Sequence, residues 1–187
     1  MSKIWLIKND VDGFFTFIFR SREDEELCEE YITRGKKITE WKNFELIREI
    51  IEGYNNKKIA DFSRWSSVIQ NVVDEKTKAV LEDRFSDFIQ FLPVTMEGTP
   101  YYFMHIFNAV DALDYDNSTI KRFNEGGIMR IKKYVFTDKI KDYPITRIYE
   151  GNFINPCDTF VNDEFKEFVE ENGLTGLIFK EVFEFSE

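Results

Sequence analysis

The sequence predicts an α+β fold: one domain of mostly antiparallel sheet with a few amphipathic helices. Three observations predict it. Short apolar runs of strand length alternate with a few segments of helical period. The 187 residues are 43% hydrophobic and include 20 Phe, enough apolar surface for a sizeable core. A helix–strand pattern also recurs at a constant offset along the chain. With only 4 Pro and 9 Gly, no linker stands out, so residues 1–187 are read as one unit.

The elements follow in order. "KIWLI" (3–7) and "FFTFIF" (14–19) read as strands joined by a turn at Asn9 to Gly13. "DEELCEEYI" (24–32) reads as a helix, because Leu27, Cys28, Tyr31 and Ile32 form one apolar stripe opposite an acidic face. Residues 35–72 carry no clear period, and "FELIREII" (44–51) fits either a helix or a strand. Over 72–94, Asp74 is placed to cap a helix with Glu75 in its first turn. Val80, Leu81 and Phe85 form that helix's buried stripe, and "DFIQFLPV" follows as a strand. "YYFMHIF" (101–107) is apolar on both faces, as a central strand is. "GIMRIKKYVF" (127–136) alternates Met129, Ile131 and Val135 against Arg130, Lys132 and Tyr134, a half-buried strand, and "PITRIYE" (144–150) adds another.

In the C-terminal part, Asn162 is the expected cap of a helix with Asp163 and Glu164 in its first turn. Phe165, Phe168 and Val169 face inward, Gly173 is the stop, and "GLIFKEVFEF" closes the chain as a strand. Residues 72–94 and 160–182 align without a gap. Val73, Lys78, Glu82, Phe91 and Val94 meet identical residues at Val161, Lys166, Glu170, Phe179 and Val182, and cap, helix and strand fall in step. The two segments read as a duplicated helix–strand unit, a scaffold rather than a catalytic device.

Net charge is −10, from 25 basic and 35 acidic residues. Such a field disfavours nucleic acid and anionic membranes and favours a cationic partner. The charge is uneven. "EDEELCEE" (23–30) holds six acids and no base, whereas 120–147 is locally basic around "MRIKKYVFTDKIK". Cys28 and Cys157 show no metal spacing and read as reduced thiols. The opening "MSKIWLIKNDVDG" has too short an apolar run for a signal peptide and no stretch approaches a membrane span, so a cytoplasmic location is expected.

The segment "FNAVDALDYDNSTIKRF" (107–123) concentrates polar chemistry. Asp111, Asp114 and Asp116 could hold a hard cation, with His105 just upstream, which would make a metal-dependent hydrolase of unknown substrate. The calcium-loop pattern fails, however, for want of the turn glycine and the closing Glu. His105 shares its strand face with Tyr101, Phe103 and Phe107, the setting of a core histidine. Asn108, Asp111 and Asp114 bonding nearby backbone N–H groups would explain the same residues as a structural turn. No phosphate-cradling glycine loop, nucleophile elbow or paired His ligands occur, and Ser66 and Ser67 lack a base. No cofactor is expected. Trp5, Trp41 and Trp65 are scattered singly, and an exposed one would be a candidate interface anchor.

"FIQFLPVTMEGTPYYFMHIFNAVDALDYDNS", "GIMRIKKYVF" and "FVNDEFKEFVEENGLTGLIFKEV" together resemble a family of bacterial polymorphic-toxin immunity proteins, first catalogued as a domain of unknown function. The resemblance covers residues 60–187, is most specific in "NAVDALDYDNS" and "NGLTGLIF", and leaves 1–59 as a variable N-terminal part. It implies a non-enzymatic inhibitor that binds a cognate toxin domain in the producing cell, and occlusion is the mechanism expected of it. The acidic candidates for contacting such a partner, possibly a basic domain, are Glu23, Asp24, Glu25, Glu26, Glu29 and Glu30, with Asp111, Asp114 and Asp116 as a second patch. A peptide-binding scaffold is the remaining alternative.

Overall fold

The computed structural model describes residues 2–32, 35–50, 57–65 and 70–186. The chain runs through β1 (Lys3–Asn9), β2 (Thr16–Phe19), α1 (Arg22–Ile32), β3 (Phe44–Arg48) and β4 (Ser63–Trp65). It continues with β5 (Gln70–Val73), α2 (Glu75–Phe85), β6 (Ile89–Met96), β7 (Thr99–Ile106) and β8 (Ala109–Val110). A hairpin of β9 (Thr119–Arg122) and β10 (Ile128–Lys133) follows, then a 3-10 turn (Asp138–Asp142) and β11 (Ile145–Glu150). The last elements are β12 (Phe153–Ile154), β13 (Phe160–Asn162), α3 (Asp163–Glu171) and β14 (Leu177–Glu184).

Six strands close into a barrel in the order β2-β3-β6-β7-β5-β4. A second sheet runs β12-β11-β13-β1-β14, with β8 pairing β11. Most pairings are antiparallel; β2–β4, β3–β6 and β8–β11 are parallel. Closure leaves the barrel without an open edge, which removes the main aggregation liability of a sheet.

Period-2 alternation sorts the apolar residues into three cores. In β7, Tyr101 and Phe103 point into the barrel with Trp65, Phe17 and Phe44. Met104 and Ile106 point outward instead, into a second core shared with Ile7, Val161 and both later helices. Ile4 and Leu6, on the opposite face of β1, join Phe136, Ile148 and Phe160 in a third core. Both faces of β7 are therefore covered, which explains its unbroken apolar sequence. Each fully buried Phe contributes about 1.5–3 kcal/mol relative to exposure.

The duplicated unit is visible in detail. Asp74 accepts from Thr77 N–H at 2.7 Å and Asn162 accepts from Phe165 N–H at 3.2 Å, each satisfying one orphan donor of its helix. β6 and β14 span equivalent residues at the same offset. Each unit also brackets one antiparallel strand between its own two: β7 lies between β5 and β6, and β1 lies between β13 and β14. The likeness extends outward, since β4 and β11 pair antiparallel with β5 and β13, and each takes a parallel neighbour, β2 or β8. The place that β7 fills in the first unit is filled in the second by β1, from the other end of the chain. The pattern is a duplication with cyclic permutation of one strand.

The units differ where the helices end. Gly173, at φ +63°, stops α3 in the left-handed region. At the equivalent offset the first unit has Phe85, which is fully buried and packs on Phe165 and Phe168 with ring centroids 5.0 and 5.1 Å away. This contact joins the two helices.

Several expectations need correction. β1 and β2 follow one another but belong to different sheets, so Asn9 to Gly13 is a crossing between layers rather than a hairpin turn. Phe14 makes only an isolated bridge to Lys58, and the strand starts at Thr16. Residues 44–48 are a strand. Val80 is only half-buried, its place in the α2 stripe being taken by Thr77. Register shifts in β10 turn Met129 outward, 43% exposed, while Ile131 stays buried. β11 is buried along Ile145 to Ile148, an interior strand. Ser66 and Ser67 lie outside the described residues.

Candidate partner-binding surfaces

α1 begins at Ser21, whose Oγ accepts from Asp24 N–H at 3.2 Å. Cys28 and Ile32 are buried against the barrel core, with Leu27 and Tyr31 beside them. The acids occupy the other faces: Glu23, Glu26 and Glu30 are exposed, and Asp24, Glu25 and Glu29 are half-buried. Asp24 pairs with Lys42 at 2.5 Å and Glu26 with Arg22 at 2.8 Å. Glu23, Asp24 and Glu25 in the first turn suit the positive end of the helix dipole. Glu29 and Glu30 sit toward the negative end, with no basic residue of the helix in the last turn, an arrangement that helix stability alone disfavours.

Asp111, Asp114 and Asp116 lie beside the third core, whereas α1 packs on the barrel core, so the two acidic sets occupy different parts of the fold. Asp114 holds a turn. Its Oδ1 accepts from the N–H groups of Asp116 and Asn117, both at 3.1 Å, and its Oδ2 from Asn117 Nδ2 at 2.8 Å. These bonds keep its carboxyl below the usual carboxylate range. Asp111 and Asp116 are exposed. Among the described residues, no three His, Cys, Asp or Glu come together as a metal-holding group.

The neighbours of Asp114 are structural as well. Ala112 and Leu113 are buried. Tyr115 OH donates to Tyr149 O at 3.2 Å and accepts from Gly151 N–H at 2.7 Å. Ser118 Oγ takes Val135 N–H at 3.0 Å. "NGLTGLIF" behaves in the same way. Thr175 binds Asp61 through its N–H and its hydroxyl, at 2.8 and 2.6 Å. Gly176 lies against Phe62, where an added Cβ would sit 2.3 Å from the Phe62 carbonyl oxygen. Both signature segments are clamps between parts of the fold.

His105 is fully buried. Its Nε2–H donates to Lys36 O at 2.9 Å, and Nδ1 has no partner among the described residues. Burial pulls its pKa from 6.5 to about 4, so the ring is neutral at pH 7. Nearby, Arg147 is also fully buried; it donates Nη1 to Ile32 O at the C-terminus of α1, 2.7 Å away. It thus places a cation at the last turn of α1, while its Nε and Nη2 meet no acceptor among the described residues. Burial lowers its pKa to about 10. Nothing in the sequence around Arg147 marked it as interior. No tryptophan is an exposed anchor: Trp65 is buried, Trp5 donates to Asp163 at 2.8 Å, and Trp41 to Pro93 O at 2.8 Å.

A cleft of about 480 Å³ opens between β10 and the β1–β14 face of the second sheet. One end is a bonded polar cluster. Asp158 accepts from Tyr134 OH at 3.0 Å and pairs with Lys8 at 3.4 Å, and Asn155 donates to Glu150 at 2.9 Å. Burial raises the Glu150 carboxyl, with Asp158 adding to the effect against the bond from Asn155. Arg130, Lys132, Lys133 and Lys180 line the same cleft. The basic stripe at 120–147 was the sequence signal for it, but the convergence with β14 is tertiary and not readable from spacing.

The described residues thus offer an acidic helix face and a cationic cleft on a frame whose polar interior serves the fold. No curated protein matches the chain. A family profile matches residues 20–184, extending the resemblance at 60–187 upstream through α1 and the barrel strands. With nearly the whole length matched, the chain belongs to the immunity protein family (Imm11).

Proposed function

We propose that this protein binds a cognate toxin domain in the cytoplasm of the producing cell and neutralises it by occlusion, without catalysis. The family supports the toxin as partner. The observation that carries the mode of binding is the acidic face of α1. Glu23, Asp24, Glu25, Glu26, Glu29 and Glu30 occupy one eleven-residue helix whose apolar stripe is already used by the barrel. A cationic partner surface would complement this acidic face. Such a field steers association and raises the on-rate, while buried contacts set the lifetime of the complex. Asp111 and Asp116 form a second acidic patch, with Asp114 holding its turn.

The test is growth rescue. The toxin domain encoded beside this gene is induced in a sensitive host, with and without this protein. Rescue is expected for the wild type and for the combined Asp111→Asn, Asp114→Asn, Asp116→Asn variant. Combined Glu26→Lys, Glu29→Lys and Glu30→Lys is expected to lose it while remaining folded. Toxicity that the wild-type protein does not relieve would sink the proposal. Rescue lost only in the aspartate variant would move the interface to 111–116.

A further inference from the structure

We infer that the cleft between β10 and β14 is a binding site for an acidic, extended segment of the protein partner, a second contact beside the acidic helix. This deepens the immunity reading and rests on it for the partner's identity. The observation behind it is a charge anomaly. The chain has 35 acidic residues against 25 basic ones, so cations have ample choice of partner. Ten of them, from Lys3 to Lys166, make ion pairs among the described residues. Yet Lys121, Arg122, Arg130, Lys132 and Lys133, every cation of the β9–β10 hairpin, have no carboxylate within ion-pairing distance among the described residues. Lys180 has none either.

Four of these, Arg130, Lys132, Lys133 and Lys180, converge on one cleft from two different sheets. The acids of that cleft are already engaged: Asp158 by Lys8 and Tyr134, Glu150 by Asn155, and Glu181 by Lys3 at 2.7 Å. Lysines on an open edge commonly guard against strand addition. That role accounts for β10 but not for Lys180 meeting it across the cleft. What the cleft lacks, among the described residues, is a carboxylate paired with any of these four cations.

A polypeptide fits better than a nucleic acid. The floor carries Glu150 and Asp158, which would repel a continuous phosphate backbone. A peptide instead alternates carboxylates, which the cationic lip takes, with N–H donors, which the floor oxygens accept. Met129, 43% exposed on the lip, offers it an apolar contact.

The first arm of the test titrates the ¹⁵N-labelled full chain with an alternating glutamate–alanine decapeptide, and separately with a ten-residue oligothymidylate. Saturable shifts confined to residues 129–134 and 178–182 are expected with the peptide alone. The combined Arg130→Gln, Lys132→Gln, Lys180→Gln variant should bind it at least tenfold more weakly with an unchanged melting midpoint. Shifts scattered over surface lysines, an unaffected variant, or preference for the oligonucleotide would each overturn the inference. So would concentration-dependent dimerisation that the variant abolishes, since the occupant would then be a second copy of this chain. The second arm measures Kd for the inactivated toxin domain. A tenfold loss in the cleft variant supports the site, and full affinity refutes it while leaving the immunity reading intact. A wild-type protein that does not bind the toxin domain refutes the immunity reading, and with it the toxin as source of the segment.

Discussion

The only histidine makes a quantitative forecast. His105 is buried, and its pKa falls from 6.5 in the unfolded chain to about 4 in the folded one. Between those values the unfolded state binds a proton that the folded state refuses. Stability from this group is therefore nearly intact above pH 6.5, is lost as pH falls toward 4, and levels off below that. The loss amounts to about 2 kcal/mol at pH 5 and about 3 kcal/mol at pH 4, since each tenfold difference in proton affinity between the two states is worth about 1.4 kcal/mol. Arg147 adds to the effect, because a second cation nearby opposes protonation. His105→Gln keeps an amide donor for Lys36 O and removes the titration. Carboxylates such as Asp114 and Glu150 titrate in both proteins and cancel in the comparison. Urea unfolding followed by tryptophan fluorescence at pH 7, 6, 5 and 4 should show the wild type losing its advantage over the variant by the amounts given. A difference that stays flat from pH 7 to pH 4 would refute the buried, neutral histidine.

Three further outcomes are expected. Gly176→Ala would place a methyl 2.3 Å from Phe62 O at a φ of +101°, so it should cost at least about 2 kcal/mol; a loss below about 0.5 kcal/mol in urea titration would contradict that close approach. Asp74→Ala and Asn162→Ala each remove an equivalent helix cap and should each cost about 1 kcal/mol, the double variant losing the sum to within about 0.5 kcal/mol by thermal and urea unfolding. Cys28 is buried, with its thiol pushed well above its ordinary pKa, so a disulfide-exchange reagent should spare it in native buffer and reach it only in urea, whereas half-buried Cys157 should react before unfolding.

What was legible in the sequence was local. The caps Asp74 and Asn162, the stop at Gly173 and the doubly apolar 101–107 each follow from a rule that acts within a few residues, and each is found in place. The helix–strand repeat was readable for the same reason, since both copies obey the same rules at the same spacing. Barrel closure was not readable, because nothing local to β2 specifies β3 and β4 as its neighbours. The permuted strand was hidden too: "KIWLI" carries no mark that places it between residues 160–162 and 177–184. "PITRIYE" read as another half-buried strand, yet its Arg147 is fully buried and donates to Ile32 O at the end of α1. Of the site candidates, the acidic run on α1 was explicit in the sequence. The cationic cleft needs Lys180 beside Arg130, a meeting that only the tertiary fold arranges.

The permutation bears on how binding surfaces arise on this frame. Two copies of one helix–strand unit place their helices against each other through Phe85, Phe165 and Phe168, which consumes the apolar faces of α2 and α3. The repeated parts are thus largely spent on the core, and most of the candidate binding charge lies on what is not repeated: the acidic face of α1 in the first half and the β9–β10 hairpin in the second, with Lys180 of β14 beside it. Each occupies the same interval of its half, between the first strand (β2 or β8) and the strand that pairs with it in parallel (β4 or β11). One insertion is acidic and the other basic. A partner engaging both would have to present complementary charge at two places, and so would be selected by a pattern rather than by net charge alone. Repulsion at either insertion would then reject a wrong partner that satisfied the other.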